Sequence, residues 1–243
     1  MICSFLSIAT LGFSSAVMAA APPPKPVATP ARFVQNLAAG KTQTIVMMGT
    51  SLTDGAAWVS QLQNLLDQRY PKLAKIVNLG RGASSTAEPP GRCGLDMIKE
   101  VVAAKPDTVF IEYGMNDCYL PYKISLEQSE KNLNAILDTI LKANPHAEII
   151  LQTMNSTKDY TEKNAGWAHA TNRPKLAEYY QLYRDIAKKR NLRLIDHYHA
   201  WFSIMNDTPA RFDELVPDRI HPNAKGATEV IMPTLKKELG IGE

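Results

Sequence analysis

Five short runs rich in β-branched residues recur along this chain, and most are followed by a longer stretch with apolar residues three and four apart. That alternation constrains the fold more than any other feature. Residues 44–48 (TIVMM), 75–79 (KIVNL), 108–113 (TVFIEY), 148–153 (EIILQT) and 192–196 (LRLID) are short and largely apolar, which suits parallel strands buried on both faces. Helical spacing covers 58–70, 95–104, 126–143 and 175–189, with a last helix over 226–239 despite Pro233. Ser125 followed by Gln128 reads as a capping box for the third of these. Repeated strand and helix require right-handed crossovers, so the expected fold class is α/β: a three-layer α/β/α sandwich around a parallel sheet. With 243 residues, 45% of them hydrophobic and 21% charged, the chain can bury the core of one such domain.

The formal net charge is +3, from Lys and Arg scattered along the sequence with no block of like charge, so no nucleic-acid partner is expected. Residues 1–20 are apolar and end in Val17-Met18-Ala19-Ala20, the small-residue pattern of a secretory signal, although the usual preceding positive residues are missing. An N-terminal anchor is the alternative, but the run is short for a membrane span. Residues 21–32 read as a Pro-rich extended linker, leaving 33–243 as the domain. The protein is therefore expected to be exported, periplasmic or extracellular, with no stable membrane association once the signal is removed.

Three of four chemistry-bearing segments fall where a parallel sheet binds ligands, just beyond the carboxyl ends of strands. They are Gly49-Thr50-Ser51-Leu52-Thr53-Asp54-Gly55, Asn78-Leu79-Gly80-Arg81-Gly82 and Gly114-Met115-Asn116-Asp117. The fourth, Asp218-Arg219-Ile220-His221-Pro222, follows the last strand by a long loop that folds back over the same edge. A Gly-bounded turn exposes the Ser51 hydroxyl as a nucleophile, His221 is the base that takes its proton, and Asp218 orients the imidazole. The backbone N–H groups of Ser51 and Gly82 and the Asn116 amide are the candidate oxyanion donors. These parts suit acyl transfer through a covalent acyl-enzyme, with no cofactor and no metal. Each segment alone has a blander reading: a helix cap for Ser51, a surface ion pair for Asp218 and His221, a turn for Asn116-Asp117. His197 and His199 alternate at a strand end, where solvent contact is expected over chelation.

In order and wording the four segments resemble the SGNH hydrolase superfamily, the GDSL esterases and lipases, over nearly the whole chain beyond the linker. The resemblance implies a flavodoxin-like five-stranded sheet of order 2-1-3-4-5 and metal-independent ester hydrolysis. One departure is Thr50, which stands where that family usually has Asp and puts the hydrogen bonding of the nucleophile turn in question.

Cys3 would leave with the signal. Cys93 and Cys118, both downstream of motif segments at neighbouring strand ends, are expected either to form a disulfide or to be two buried thiols. Residues 155–174 form a polar stretch with aromatic residues at the substrate edge of the sheet. Trp167 and His169, together with Thr50, are the candidate substrate-binding residues. A polar wall with aromatics suits a sugar ring better than a long acyl tail. The expected function is an exported esterase removing short acyl groups, acetyl foremost, from a carbohydrate. The alternatives are a broad esterase, arylesterase, thioesterase or lipase on small to medium chains and, from another class, a catalytically silent carbohydrate-binding relative.

Overall fold

The computed structural model describes residues 29–159 and 170–242. In chain order these form α1 (Arg32–Ala38), β1 (Gln43–Gly49), α2 (Ala57–Arg69), β2 (Ala74–Asn78), α3 (Gly94–Ala103), β3 (Thr108–Glu112), α4 (Gly114–Asp117) and α5 (Leu126–Ala143). There follow β4 (Glu148–Thr153), α6 (Leu176–Lys189), β5 (Arg193–Asp196), α7 (Tyr198–Asp207), α8 (Pro209–Leu215), α9 (Ala224–Gly226) and α10 (Met232–Leu239). All strand pairs are parallel, and the sheet order is β2-β1-β3-β4-β5. This is the expected α/β/α sandwich.

Alternation along the strands divides the core in two. Ile45, Met47, Phe110 and Ile150 pack on the face covered by α1, α2 and α10. Val46, Met48, Val109, Ile111, Ile149 and Leu151 pack on the opposite face, against α3, α5 and α6. Because both faces are covered, successive strand residues are apolar, which is why the strands read as continuous hydrophobic runs.

Several local expectations are refined. Ser125 Oγ accepts from Gln128 N–H at 3.1 Å, but the Gln128 side chain turns to Asn132, so only half of the capping box forms. The last helix is continuous from α9 to α10 through a π-helical turn at Ala227–Ile231, with Pro233 in the first turn of α10. A π turn shifts the backbone register, accommodating a residue that donates no hydrogen bond. Residues 29–32, read as the end of the linker, are docked on the domain. Ala31 N–H bonds Leu239 O at 2.9 Å, and the N–H groups of Arg32 and Phe33 donate to the Glu148 carboxylate at 2.9 and 2.8 Å. The signal reading of 1–20 and most of the linker lie outside the described residues, as do Trp167 and His169. Among the described residues no helix is long and apolar enough to cross a membrane.

Of the two expectations for Cys93 and Cys118, the bridge is the one not formed. Both are free, buried thiols. Each has a partner of its own, Cys93 Sγ lying 3.0 Å from Asp96 Oδ2 and Cys118 Sγ donating to Met115 O at 3.2 Å. Burial pushes the Cys93 thiol up to about 11 and the Cys118 thiol up to about 12. The reading as two small apolar residues is the one that holds.

Candidate active site

β1 ends at Gly49, whose register partner on β3 is Glu112, so the turn carrying Ser51 starts beside the end of the central strand pair. The turn is built from within. Thr53 and Asp54 N–H groups bond back to Thr50 O at 3.0 and 2.9 Å, and the Trp58 indole N–H holds Leu52 O at 2.7 Å. Asn78, at the end of β2, donates to Thr53 O at 2.8 Å. These bonds leave Ser51 half-buried at the sheet edge.

On the other side of the site, Asp218 to His221 follow α8. Asn155, just beyond β4, donates its amide to Ile220 O at 2.7 Å and ties the loop to the sheet. Arg219 has φ +70° and pairs with Asp213, which also holds Lys158 at 3.0 Å. The loop brings His221 Nε2 to 2.8 Å from Ser51 Oγ, while His221 Nδ1 lies 2.6 Å from Asp218 Oδ2. Burial would raise the Asp218 carboxyl, but hydrogen bonds from the His221 ring and from the backbone N–H groups of His221 and Ile220 hold it below its ordinary value. A carboxylate ionised in this way fixes the ring tautomer in which Nε2 is the acceptor of the serine proton. The three residues expected to act together are therefore within hydrogen-bond reach in the expected order.

Of the backbone N–H groups expected to face the substrate, one has a partner within the protein. Gly82 N–H is engaged by Asp54 Oδ2 at 2.8 Å. The cavity beside Ser51, about 260 Å³, is lined instead by the next residue, Ala83, with Asn116, Tyr119, Tyr122, Arg173, Ile220 and His221. Among the described residues nothing accepts a hydrogen bond from the backbone N–H of Ser51 or of Ala83. Asn116 donates one amide hydrogen to Ser84 O at 2.8 Å and keeps a second for a ligand. A further cavity of about 430 Å³ opens onto Ser51 and His221 from the α2 side, between Asp54–Trp58 and Pro222–Ala224.

Thr50, a candidate substrate contact, is wholly buried and lines neither cavity. Its N–H and hydroxyl donate to Glu112 at 2.6 and 3.0 Å, and its hydroxyl accepts from Leu52 N–H at 3.1 Å. Thr53 Oγ1 adds a bond to the same carboxylate at 2.8 Å. Glu112 is thus the acid that supports the turn, reached from β3 rather than from position 50. Burial pushes its carboxyl up to about 7. Asp117 does similar work one loop away, accepting from Thr86 N–H at 2.8 Å and from Ser129 Oγ at 2.5 Å, and burial pushes it up to about 6.

Sequence reasoning missed Glu112, Asn155 and Ala83, and it assigned no role to Tyr119 or Tyr122. The only signal for Glu112 was a carboxylate inside an otherwise apolar strand. Arg173, within the polar stretch 155–174, is buried, donates from Nε to Met115 O at 3.0 Å, and lies 4.6 Å over the Tyr119 ring. His197 is buried and His199 is exposed 3.6 Å from Asp196. Among the described residues no three His, Cys, Asp or Glu side chains gather as a metal-ligand set.

Comparison with known proteins places the chain in a family. The profile of the GDSL-like lipase/acylhydrolase family matches residues 47–228. An acetylxylan esterase of Geobacillus stearothermophilus is 26% identical over 228 residues, spanning 83% of this chain and 96% of that protein. The crystal structure of an acetylxylan esterase from the same organism superposes with a TM-score of 0.63 at 25% identity, over 83% of this chain and 95% of the other. An alpha/beta hydrolase enzyme from the metagenome of Lake Arreo shares the fold with a TM-score of 0.62 at 23% identity, over 82% and 96% of the two chains. The chain belongs to the GDSL-like lipase/acylhydrolase family, within the SGNH hydrolase superfamily, and is a serine hydrolase of ester bonds.

Proposed function

We propose that this protein is an exported carbohydrate esterase that removes short acyl groups, acetyl foremost, through a Ser51–His221–Asp218 triad. The observation that carries the catalytic part is the 2.8 Å contact between Ser51 Oγ and His221 Nε2, backed by Asp218. Ser51 Oγ attacks the ester carbonyl carbon while His221 Nε2 takes its proton. The oxygen that gains charge is met by the N–H groups of Ser51 and Ala83 and by the free amide hydrogen of Asn116. A single donor of this kind is worth about 3–4 kcal/mol in the transition state. His221 then returns the proton to the departing alcohol oxygen, and water attacks the acyl-enzyme by the same route in reverse. Ala83 takes the part expected of Gly82, whose N–H is held by Asp54.

The substrate part rests on the cavity wall and on the relatives. Tyr119 and Tyr122 stand edge to face with ring centroids 5.2 Å apart, beside the buried Arg173 and next to the oxyanion donors. Aromatic faces pack against sugar C–H groups and polar edges meet hydroxyls, so this corner suits a sugar ring. The relatives named as acetylxylan esterases point the same way. Export rests on the sequence of residues 1–20 alone.

The test is acyl release by purified protein, with Ser51→Ala as control, from nitrophenyl esters of acetate to decanoate and from acetylated xylan and xylo-oligosaccharides. Acetate release that is strongest on the glycan and absent in Ser51→Ala is the expected result. A preference for longer chains, with no acetate from any glycan, would move the protein to the general esterase or lipase reading.

A further inference from the structure

Ala83 sits in the loop between β2 and α3 with φ +56°, a left-handed backbone that a residue with a Cβ adopts only when its surroundings hold it there. The surroundings are specific. Tyr122 Oη donates to Ala83 O at 2.5 Å. The following carbonyl, Ser84 O, takes the Asn116 amide at 2.8 Å, and Ser84 Oγ bonds Arg81 O at 2.7 Å and Gly49 O at 3.1 Å. The loop is thus tied to the nucleophile strand through Ser84 and to the wall of the cavity through Tyr122.

Tyr122 is itself fixed. It ends the short 3-10 turn Leu120–Tyr122, and its ring meets Tyr119 at an interplanar angle of 86°. The guanidinium of Arg173 lies over the Tyr119 ring, 4.6 Å from its centroid. A hydroxyl placed by such a stack holds a carbonyl in one orientation, and with the carbonyl held the backbone angles of Ala83 have little freedom.

We propose that Tyr122 is a positioning residue of the oxyanion hole: its hydroxyl, by holding the Ala83 carbonyl, keeps Ala83 left-handed so that its N–H faces the acyl oxygen. This rests on the reading of Ser51 as nucleophile and Ala83 N–H as donor given above. The sugar-binding role of the ring is separate, because the ring survives in Tyr122→Phe and the hydroxyl does not. A loss of donor alignment appears in the chemical step, so kcat falls while KM for a small ester stays. Glycine adopts the left-handed backbone without a steric cost, so it should lessen the need for the tie.

The test uses nitrophenyl acetate, whose small alcohol makes little use of a sugar subsite, and the rate at which a fluorophosphonate modifies Ser51, which needs the same oxyanion donors. Four proteins are compared: wild type, Tyr122→Phe, Ala83→Gly and the double variant, each checked for an unchanged thermal midpoint. Expected is a fall of about tenfold in kcat and in the phosphonylation rate for Tyr122→Phe, part of the loss that removal of a whole donor causes. KM should stay within about twofold, and the double variant should be faster than Tyr122→Phe alone. An unchanged kcat in Tyr122→Phe, a change confined to KM, or a double variant no faster than Tyr122→Phe would each overturn the proposal. If wild type cleaves the aryl ester but no glycan ester, the substrate reading fails while this comparison still decides the role of Tyr122. A wild type in which Ser51 does not react would remove both.

Discussion

Glu112 reaches from the end of β3 into the nucleophile turn and accepts two hydrogen bonds from Thr50, one from its N–H at 2.6 Å and one from its hydroxyl at 3.0 Å. The same hydroxyl accepts from Leu52 N–H at 3.1 Å, so Thr50 joins a buried carboxylate to the peptide just beyond the nucleophile. Thr50→Val keeps the shape of the side chain but leaves a buried N–H and part of a buried carboxylate unsatisfied, at a cost of about 1–3 kcal/mol. Thr50→Ser keeps the hydroxyl. Turnover of nitrophenyl acetate should fall about tenfold further in the Val variant than in the Ser variant, with a lower thermal midpoint as well. Equal turnover in the two would show that the hydroxyl does not hold the turn.

The burial of Glu112 also sets a pH dependence of stability. Its carboxyl is pushed up to about 7 by burial, against bonds from Thr53 and Thr50 that pull it down. Between the ordinary Glu value and about 7 the folded protein therefore holds a proton that the unfolded chain has lost. That contribution is complete below the unfolded value and disappears as pH rises through about 7. Asp117, pushed up to about 6 by burial, acts with the same sign. His197 acts with the opposite sign, because burial holds it neutral down to about 4 and acidification charges it first in the unfolded chain. Comparison with Glu112→Gln isolates the first effect. Between about pH 5.5 and 8 the thermal midpoint of the variant should gain a few degrees relative to wild type. A constant difference across that range would show that Glu112 does not titrate there.

What the sequence disclosed and what it hid follow from the kind of signal each residue carries. The strands were legible because both faces of the sheet are covered, and α5 was legible at both ends because Ser125 caps it and a clear apolar stripe runs along it. The short helices α7 and α8 were not, since Tyr198–Asp207 mixes aromatics with Asn and Asp, and Thr208-Pro209 interrupts the run. In the site, Ser51, Asp218 and His221 were legible by type and spacing. Gly82 drew the oxyanion assignment because glycine is the residue expected where backbone must approach a ligand. Ala83 carried no such mark, since its left-handed backbone is imposed from outside the loop.

The two cysteines give a direct chemical check. With Cys93 and Cys118 buried and their thiols pushed up to about 11 and about 12, thiolate is scarce at neutral pH. Unreduced native protein should therefore react only slowly with an aromatic disulfide reagent near pH 8. On unfolding without reductant, both thiols should react at once. Absence of both thiols from the unfolded, unreduced protein would mean that a bridge forms after all.

Tyr119 tests the sugar corner. Its ring lines the cavity, is held by Arg173 at 4.6 Å, and meets Tyr122 at 5.2 Å. Unlike Tyr122, its side chain makes no hydrogen bond to the oxyanion loop among the described residues. Loss of stacking on one sugar face is worth about 1–2 kcal/mol, by analogy with other aromatic contacts, which corresponds to about fivefold to thirtyfold in binding. Tyr119→Leu should therefore raise KM for acetylated xylo-oligosaccharides by about that factor, and because its ring also braces Tyr122, kcat for nitrophenyl acetate should fall as well, by less than the roughly tenfold expected for Tyr122→Phe. If the variant instead altered the preference among acetate, butyrate and hexanoate esters, the corner would be the acyl pocket. The sugar would then lie on the α2 side, between Asp54 and Asn223, in the cavity of about 430 Å³.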